Sequence, residues 1–335
     1  MKIPFASLAA TAALALVPAA ALAAPLNVVA SFTILADFAM AVGGERVEVT
    51  TLVGRDSDIH VYEPRPADAV AMAKADVILV NGLALEGFLD RLIEVSETHA
   101  VIVEASAGVD AIAAQHDETE EYDDADHDLH DDAHDAERDH ADEAAGDHGH
   151  EEAEGHVHGA YDPHAWLSAA NAVIYVSNIE AAFCAADPEG CPVYEENALH
   201  YRAELAALDA DIRTLVATLP EDGRTIITSH DAFAYFGRDY GLSFLAPQGI
   251  STETEPSAAD VAALIRQIRE DKAAALFTES ITDPRVVEQI GSETGIAVGG
   301  ALYAGALSLS EGPAATYVEL MRHNAETIAA AIAGK

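Results

Sequence analysis

Short apolar runs alternate with amphipathic stretches along the first third of the chain. Four of the apolar runs predict β-strands, at 27–31, 47–53, 77–80 and 101–104. Three stretches with apolar residues at helical spacing predict helices, at 33–42, 67–75 and 85–95. Because strands that alternate with helices form parallel sheets covered on both faces, this part of the chain predicts an α/β lobe.

The same alternation returns in the last third of the chain. The predicted strands are 225–228, 274–278 and 297–299. The predicted helices are 230–240, 259–270, 284–295 and 315–333. The pattern therefore predicts a second α/β lobe built on the same plan as the first.

The stretch 194–219 predicts one long helix between the lobes, after a shorter helix at 169–183. Leucine and isoleucine recur along it at spacings of three, four and six residues, with no glycine or proline before Pro220. At 1.5 Å per residue the helix would be roughly 38 Å long. We predict two βα lobes with parallel sheets joined by one long rigid helix, and a ligand site in the interlobe cleft. The predicted boundaries are 24–192, 193–220 and 221–335.

The first 23 residues have the pattern of a secretory signal. Lys2 precedes an apolar run, and Ala21-Leu22-Ala23 supplies the small residues of a cleavage site. The apolar run is too short to span a bilayer, and neither cysteine lies near it to carry a lipid. We therefore expect a free periplasmic protein without a membrane anchor.

The segment 115–160 interrupts the first lobe with an unusual composition. Its 46 residues include nine histidines, 19 acidic residues and a single basic residue, Arg138. Such a segment buries too little apolar surface to offset the entropy of ordering it, so a mobile loop is predicted. A solvated acidic linker is the alternative, but acidity alone would need no histidine. Imidazole and carboxylate both bind first-row metals, so metal handling is favoured. The histidines are His116, His127, His130, His134, His140, His148, His150, His156 and His158.

The chain of 335 residues carries a formal net charge of −41 and has no cluster of lysine or arginine. Nucleic acid and anionic membrane surfaces are therefore not expected partners, whereas a cation is. The two cysteines, Cys184 and Cys191, flank a short turn that contains proline and glycine. In an oxidising compartment this spacing predicts a local disulfide, because a zinc or redox pair would more often be C-x-x-C.

Three histidines outside the loop follow predicted strands or precede helices. They are His60, His164 and His230, each in a different connecting segment. One such histidine is more often a satisfied polar residue than a ligand. Three of them beside a histidine-rich loop favour a metal site, and three imidazoles at about 2.0–2.1 Å suit Zn²⁺.

The stretches that carry these histidines, 60–68, 162–166 and 228–233, together with the embedded loop, resemble a known family. The chain is similar over its predicted mature length to the zinc-specific solute-binding proteins of bacterial ABC importers, the cluster A-I metal-binding family. The resemblance implies a two-lobed monomer that captures Zn²⁺, or less favourably Mn²⁺, at the lobe interface. It implies His60, His164 and His230 as ligands. It also implies delivery to a membrane permease with its ATPase, and a periplasmic zinc metallochaperone is a further candidate partner.

The sequence departs from the family at one expected ligand. The family commonly has an acidic residue where this chain has Gly305. The fourth position could then be filled by water, by a loop histidine, or by Glu279 or Glu63. Glu279 could equally cap a helix, and for Glu63 a structural ion pair with Arg65 or a cap is the preferred interpretation. Mn²⁺ prefers oxygen ligands, so the missing carboxylate favours Zn²⁺.

Three functional classes fit a three-histidine site. A transport receptor is preferred because of the family resemblance. A zinc hydrolase would need a general base, and no carboxylate has that role as it would in H-E-x-x-H, so no enzymatic activity is predicted. A periplasmic zinc buffer or sensor, with the loop as the main functional part, is the remaining alternative.

Overall fold

The computed structural model describes residues 24–114 and 159–334. The predicted signal and nearly all of the predicted histidine-rich loop lie outside these ranges. The described residues form two α/β lobes connected by a long helix, which confirms the predicted fold class.

The first lobe contains a four-stranded sheet in which every neighbouring pair is parallel. Its strands are β1 (Leu26–Phe32), β2 (Val47–Val53), β3 (Val77–Val80) and β4 (Val101–Glu104), in the order β2-β1-β3-β4. Its helices are α1 (Thr33–Gly43), α2 (Pro66–Met72) and α3 (Leu89–Ser96). Helix α3 begins four residues later than predicted because residues 85–88 form turns, in which Gly87 N donates to Leu85 O at 3.2 Å and Leu89 N donates to Glu86 O at 3.1 Å.

Two antiparallel-packed helices follow, α4 (Ala169–Ala186) and α5 (Cys191–Ala217). Ser168 caps α4 by accepting a hydrogen bond from the backbone N–H of Asn171 at 3.2 Å. The predicted disulfide between Cys184 and Cys191 is confirmed, and it joins the end of α4 to the start of α5. Helix α5 starts three residues earlier than predicted because Pro192 fits the first helical turn.

Helix α4 is the single helix of the described ranges that is long and apolar enough to cross a membrane by length and composition. Its large side chains Tyr175, Val176, Ile179 and Phe183 are fully buried in the protein. It therefore has the position of a core helix.

The second lobe repeats the parallel four-stranded plan. Its strands are β5 (Thr225–Ile227), β6 (Ser243–Leu245), β7 (Ala275–Glu279) and β8 (Val298–Leu302), in the order β6-β5-β7-β8. Its helices are α6 (Ala234–Tyr240), α7 (Ala258–Asp271), α8 (Arg285–Thr294) and α9 (Tyr317–Ala333). Strand β6 is absent from the sequence prediction because three residues, two of them apolar, give no usable period.

Helix α6 begins at Ala234, so the predicted start at residue 230 is wrong. The backbone N–H groups before it are held by partners far along the chain. Thr228 donates to Leu245 O at 3.0 Å, and Asp231 donates to Gln248 O at 3.1 Å. The backbone of this segment is therefore not helical, and His230 lies in a loop.

One apolar cluster runs through both lobes and fixes their relative position. Phe38 of α1 packs its ring against Tyr175 of α4 and Tyr317 of α9, with ring centroids 6.0 and 4.7 Å apart. Hydrogen bonds join the lobes as well, from Asp56 N to Leu307 O at 3.1 Å and from Tyr317 N to Asp37 Oδ2 at 2.9 Å. The cleft therefore lies between lobes that share one core.

Candidate metal centre

Three connecting segments bring the three predicted histidines into one cluster. His60 lies in the segment between β2 and α2, His164 precedes α4, and His230 follows β5. Their candidate ligand atoms all lie within 4.8 Å of one another, and His60 Nε2 is 3.2 Å from His164 Nε2. The ring centroids are 5.2, 5.7 and 5.2 Å apart. The carboxyl ends of parallel strands form the edges where ligands bind, and the cluster lies at such edges of both sheets.

Asp162 orients the ring of His164. Its Oδ1 atom accepts a hydrogen bond from the backbone N–H of His164 at 2.9 Å and lies 2.8 Å from the ring Nδ1. Because a carboxylate can only accept here, Nδ1 keeps its proton and donates it in a hydrogen bond, which leaves the lone pair on Nε2 toward the cluster. His164 is 1 % exposed, so this orientation is held inside the protein.

Glu279 lies beside the ring and the backbone of His230. Its Oε2 atom lies 2.7 Å from His230 Nδ1. Its Oε1 atom accepts hydrogen bonds from the backbone N–H groups of Ser229 and His230, each at 2.9 Å. One oxygen of this carboxylate therefore holds the backbone at His230, and the other lies against its ring. These contacts indicate an orienting role, and its use as a fourth ligand stays a prediction.

His60 is the most accessible of the three histidines. Its backbone N–H donates to Asp58 Oδ1 at 2.9 Å, and the other oxygen of Asp58 accepts from Thr252 Oγ1 of the second lobe at 2.5 Å. Asp58 thus connects the His60 segment to the opposite lobe. Of the three imidazoles, only that of His60 lines the cavity of about 500 Å³ that opens beside the cluster.

Burial controls the charge of two of the imidazoles. It lowers the pKa of His60 and of His164 well below the ordinary value, because the cationic form loses its hydration. Burial acts in the same direction on His230, but the carboxylates of Glu279, Asp58 and Asp231 together outweigh it and raise the pKa. Burial also raises the pKa of Asp162 to about 7. Two of the histidines are thus neutral near pH 7, the form that binds a metal ion.

The remaining candidates for the fourth position differ in their placement. Glu63 is exposed, and its neighbour Arg65 pairs with Asp68 at 3.1 Å in the cap of α2. Gly305 is buried just beyond β8, next to Ala304, whose carbonyl accepts a hydrogen bond from Trp166 Nε1 at 2.7 Å. A β-carbon at position 305 would meet Ile281 Cδ1 at 3.4 Å and nothing nearer. The histidines 116–158 lie outside the described residues.

The sequence prediction names Glu279 only as a candidate fourth ligand and gives no carboxylate an orienting role, although part of the signal was present. Asp58 precedes His60 by two residues, and Asp162 precedes His164 by two residues. In both cases the aspartate accepts a hydrogen bond from the backbone N–H of the histidine. This repeated D-x-H spacing could have indicated the pair. Nothing in the sequence places Glu279, 49 residues from His230, beside its ring.

Comparison with known proteins agrees with this site. Residues 28–331 match the family described as ZnuA, the periplasmic component A of the zinc-uptake complex. The chain belongs to the ZnuA family. It is accordingly a metal-binding solute-binding protein of the ABC-importer class, and members of the family are not enzymes.

Relatives in the ZnuA family differ in the metal that their names record. The chain is 31 % identical to the iron-binding protein YfeA of Yersinia pestis over 98 % of this chain and 93 % of the relative. It is 30 % identical to the manganese-binding lipoprotein MntA of Bacillus subtilis over 92 % of this chain and 90 % of the relative. Among solved structures, the periplasmic zinc-binding protein TroA of Treponema pallidum superposes with a TM-score of 0.75, 26 % identity and coverage of 92 % and 99 %. Family membership therefore establishes metal binding and leaves the choice of metal to the site itself.

Proposed function

We propose that this protein captures Zn²⁺ in the periplasm through His60, His164 and His230 and delivers it to the permease of an ABC importer with its ATPase. The observation that carries the proposal is the convergence of three imidazoles, two of them oriented by a buried carboxylate. A neutral imidazole oriented through its second nitrogen by a carboxylate is the usual arrangement of a zinc ligand.

The donor set supports Zn²⁺ over the other metals that relatives bind. Within residues 24–114 and 159–334, no carboxylate joins the three imidazoles in the group that could hold an ion. Of the two oxygens of Glu279, Oε1 accepts hydrogen bonds from two backbone N–H groups and Oε2 lies 2.7 Å from His230 Nδ1, and Gly305 supplies no side chain. Mn²⁺ and Fe²⁺ bind more weakly than Zn²⁺ to a given nitrogen site, and Mn²⁺ favours oxygen ligands. Three nitrogen ligands and water make a four-coordinate zinc site.

The histidine-rich segment is proposed to bind further zinc ions and to supply them to the centre. The residues that flank it, Ala114 and Gly159, line the same cavity as His60. A hydrogen bond of 3.0 Å from Ala114 N to Ala160 O holds the two ends together. Histidines tethered to the rim of this cavity by a short flexible segment would have an effective concentration at the metal centre of order millimolar. A zinc metallochaperone remains a candidate donor, and a monomeric periplasmic protein is the expected form.

A metal competition titration tests the proposal. The purified mature protein would compete with a chromophoric chelator for Zn²⁺, Mn²⁺ and Fe²⁺ in parallel, together with the three His→Ala variants. We expect Zn²⁺ to bind most tightly, and each variant to lose most of that affinity while keeping its circular dichroism spectrum. A wild-type protein that binds Mn²⁺ more tightly than Zn²⁺ would refute the zinc assignment, and a His→Ala variant with unchanged affinity would remove that residue from the centre.

A zinc buffer or sensor is the second candidate function, supported by the nine histidines of the loop. Deletion of 115–158 separates the two functions. A buffer would lose nearly all its bound zinc, whereas a transport receptor would retain one tightly bound ion.

A further inference from the structure

A largely buried hydrogen-bond network contacts the peptide group that precedes His164. Its central residue is Asn81, directly after β3, with no exposed surface. The side-chain amide of Asn81 donates to Pro163 O at 3.0 Å and to Gly82 O at 2.9 Å. Its carbonyl oxygen accepts a hydrogen bond of 2.6 Å from Tyr175 OH on α4. Each polar atom of this side chain is therefore satisfied, and its amide has one possible orientation.

Glu86 holds the backbone of Asn81. Its Oε1 atom accepts hydrogen bonds from the backbone N–H of Asn81 at 2.6 Å and from Ser31 Oγ at 2.7 Å, and its Oε2 atom accepts from Gly82 N at 3.3 Å. Ser31 belongs to β1, so the carboxyl group joins β1 to the end of β3. Burial raises the pKa of Glu86, and the donors around it act in the opposite direction. None of these groups belongs to the metal centre itself.

The bond to Pro163 has a specific consequence for His164. The carbonyl of Pro163 and the N–H of His164 belong to the same peptide group. Asn81 holds the carbonyl oxygen of this group at 3.0 Å, and Asp162 holds its N–H at 2.9 Å. A planar peptide that is bonded on both sides cannot rotate about its own axis. The Cα of His164 is therefore held in place, and the contact of Asp162 with Nδ1 at 2.8 Å then sets the point that Nε2 reaches.

We propose that Asn81 is a positioning residue of the metal centre, which holds the Pro163–His164 peptide while Glu86 and Tyr175 hold Asn81. The inference rests on the proposed function, since it assigns a role toward a metal bound by His164. Asn81 does not touch the ion. Loss of a group that orients a ligand typically weakens metal affinity by about 10- to 100-fold. The expected effect is therefore on binding geometry, beyond any loss of fold stability.

Three variants test this role, and one of them is a matched control. Asn81→Ala removes the bond to Pro163. Tyr175→Phe removes only the hydroxyl that orients the Asn81 amide. Asn178→Ala is the control, because Asn178 also donates to two backbone carbonyls, Ala105 O at 2.8 Å and Ala107 O at 2.9 Å, without contacting the His164 segment. For each variant, Zn²⁺ affinity is measured by chelator competition, the thermal midpoint of the metal-free protein by circular dichroism, and centre geometry by the visible absorption of bound Co²⁺.

We expect Asn81→Ala to weaken Zn²⁺ binding about 10- to 100-fold and to alter the Co²⁺ spectrum. Tyr175→Phe should produce a smaller loss in the same direction, and Asn178→Ala should lower the thermal midpoint without changing affinity or spectrum. Unchanged affinity and spectrum in Asn81→Ala would overturn the inference, as would an equal loss in Asn178→Ala. If Asn81→Ala does not fold, Tyr175→Phe decides by the same two readouts.

His164→Ala separates this inference from the proposed function. If His164→Ala binds Zn²⁺ as tightly as the wild type, the proposed function fails. If His164→Ala loses the ion while Asn81→Ala and Tyr175→Phe retain wild-type affinity and spectrum, the positioning role alone fails.

Discussion

Replacement of Glu279 by glutamine tests how the second lobe prepares its ligand. In the wild type, Oε1 of Glu279 accepts from two backbone N–H groups, and Oε2 faces His230 Nδ1 at 2.7 Å. Glutamine has the same shape, but the two backbone donors keep its single oxygen. Its NH₂ group must then face Nδ1, which turns that nitrogen into the acceptor and moves the ring proton to Nε2. In this tautomer His230 has no lone pair to offer to the metal.

Metal binding to Glu279→Gln therefore requires the other His230 tautomer, with the proton on Nδ1. The Nδ1–H and the glutamine NH₂ group are then two donors that face each other, in a site where His230 is fully buried. A buried polar group without a partner costs about 1–3 kcal/mol. Since 1.4 kcal/mol is about a factor of ten in an equilibrium constant, we expect Zn²⁺ to bind roughly 5- to 150-fold more weakly. The loss should fall on affinity, because the two backbone hydrogen bonds to position 279 persist.

Chelator competition at about pH 7.5 gives the affinity, and circular dichroism melts of the metal-free protein give the stability. Asp68→Asn is the matched control, because Asp68 is also a buried carboxylate, bonded to Tyr62 OH at 2.6 Å and to Arg65 N at 2.6 Å, outside the cluster of histidines. It should lower stability and leave zinc affinity within a factor of about two. Wild-type affinity in Glu279→Gln would refute the orienting role. Complete loss of binding would instead identify Glu279 as a direct ligand.

Three further predictions concern protons, the loop and position 305. The pKa of His230 is raised above its ordinary value of 6.5 by Glu279, so its proton competes with the metal at a higher pH than those of His60 and His164. Apparent Zn²⁺ affinity should therefore fall as the pH drops from about 7.5 to 5.5. A flat affinity profile over that range would argue for carboxylate ligands. Deletion of 115–158 should reduce the stoichiometry in equilibrium dialysis to about one Zn²⁺ per protein and slow transfer from a zinc-loaded donor, whereas a passive linker would leave both values unchanged. Gly305→Asp should tighten binding of Mn²⁺ more than that of Zn²⁺, because it adds an oxygen donor where only Ile281 Cδ1 lies within 4 Å of the new β-carbon. The same titration in Gly305→Ala controls for the added bulk, and equal affinities in the two variants would show that residue 305 does not face the metal.

The local pattern of the chain was enough to predict most of its secondary structure. Strands β1 and β3 match their predicted positions closely because buried parallel strands are continuous apolar runs with clear ends, and the more exposed edge strands β2 and β4 match because they are rich in β-branched residues. The long helix was predictable because its buried positions recur with a helical period over many turns. The disulfide followed from a separation of seven residues across a turn that contains proline and glycine.

Elements that depend on distant partners were not predictable in this way. Strand β6 has three residues and exists because β5 lies beside it. Helix α6 starts four residues late because the backbone of 228–231 is bonded to Leu245, Gln248 and Glu279. In both cases a hydrogen bond across the fold outweighs local propensity, and a single sequence contains no record of that pairing.

The same distinction applies to the candidate metal centre. The residue types, their strand-end positions and the resemblance to a family identified His60, His164 and His230 from the sequence alone. Their approach to within 4.8 Å depends on how two lobes pack against each other, and the orientation of His230 depends on a carboxylate brought from β7. The sequence therefore determined which atoms can bind a metal. The tertiary structure decided which nitrogen of each ring faces the centre, because that choice is made by hydrogen bonds between residues far apart in the chain.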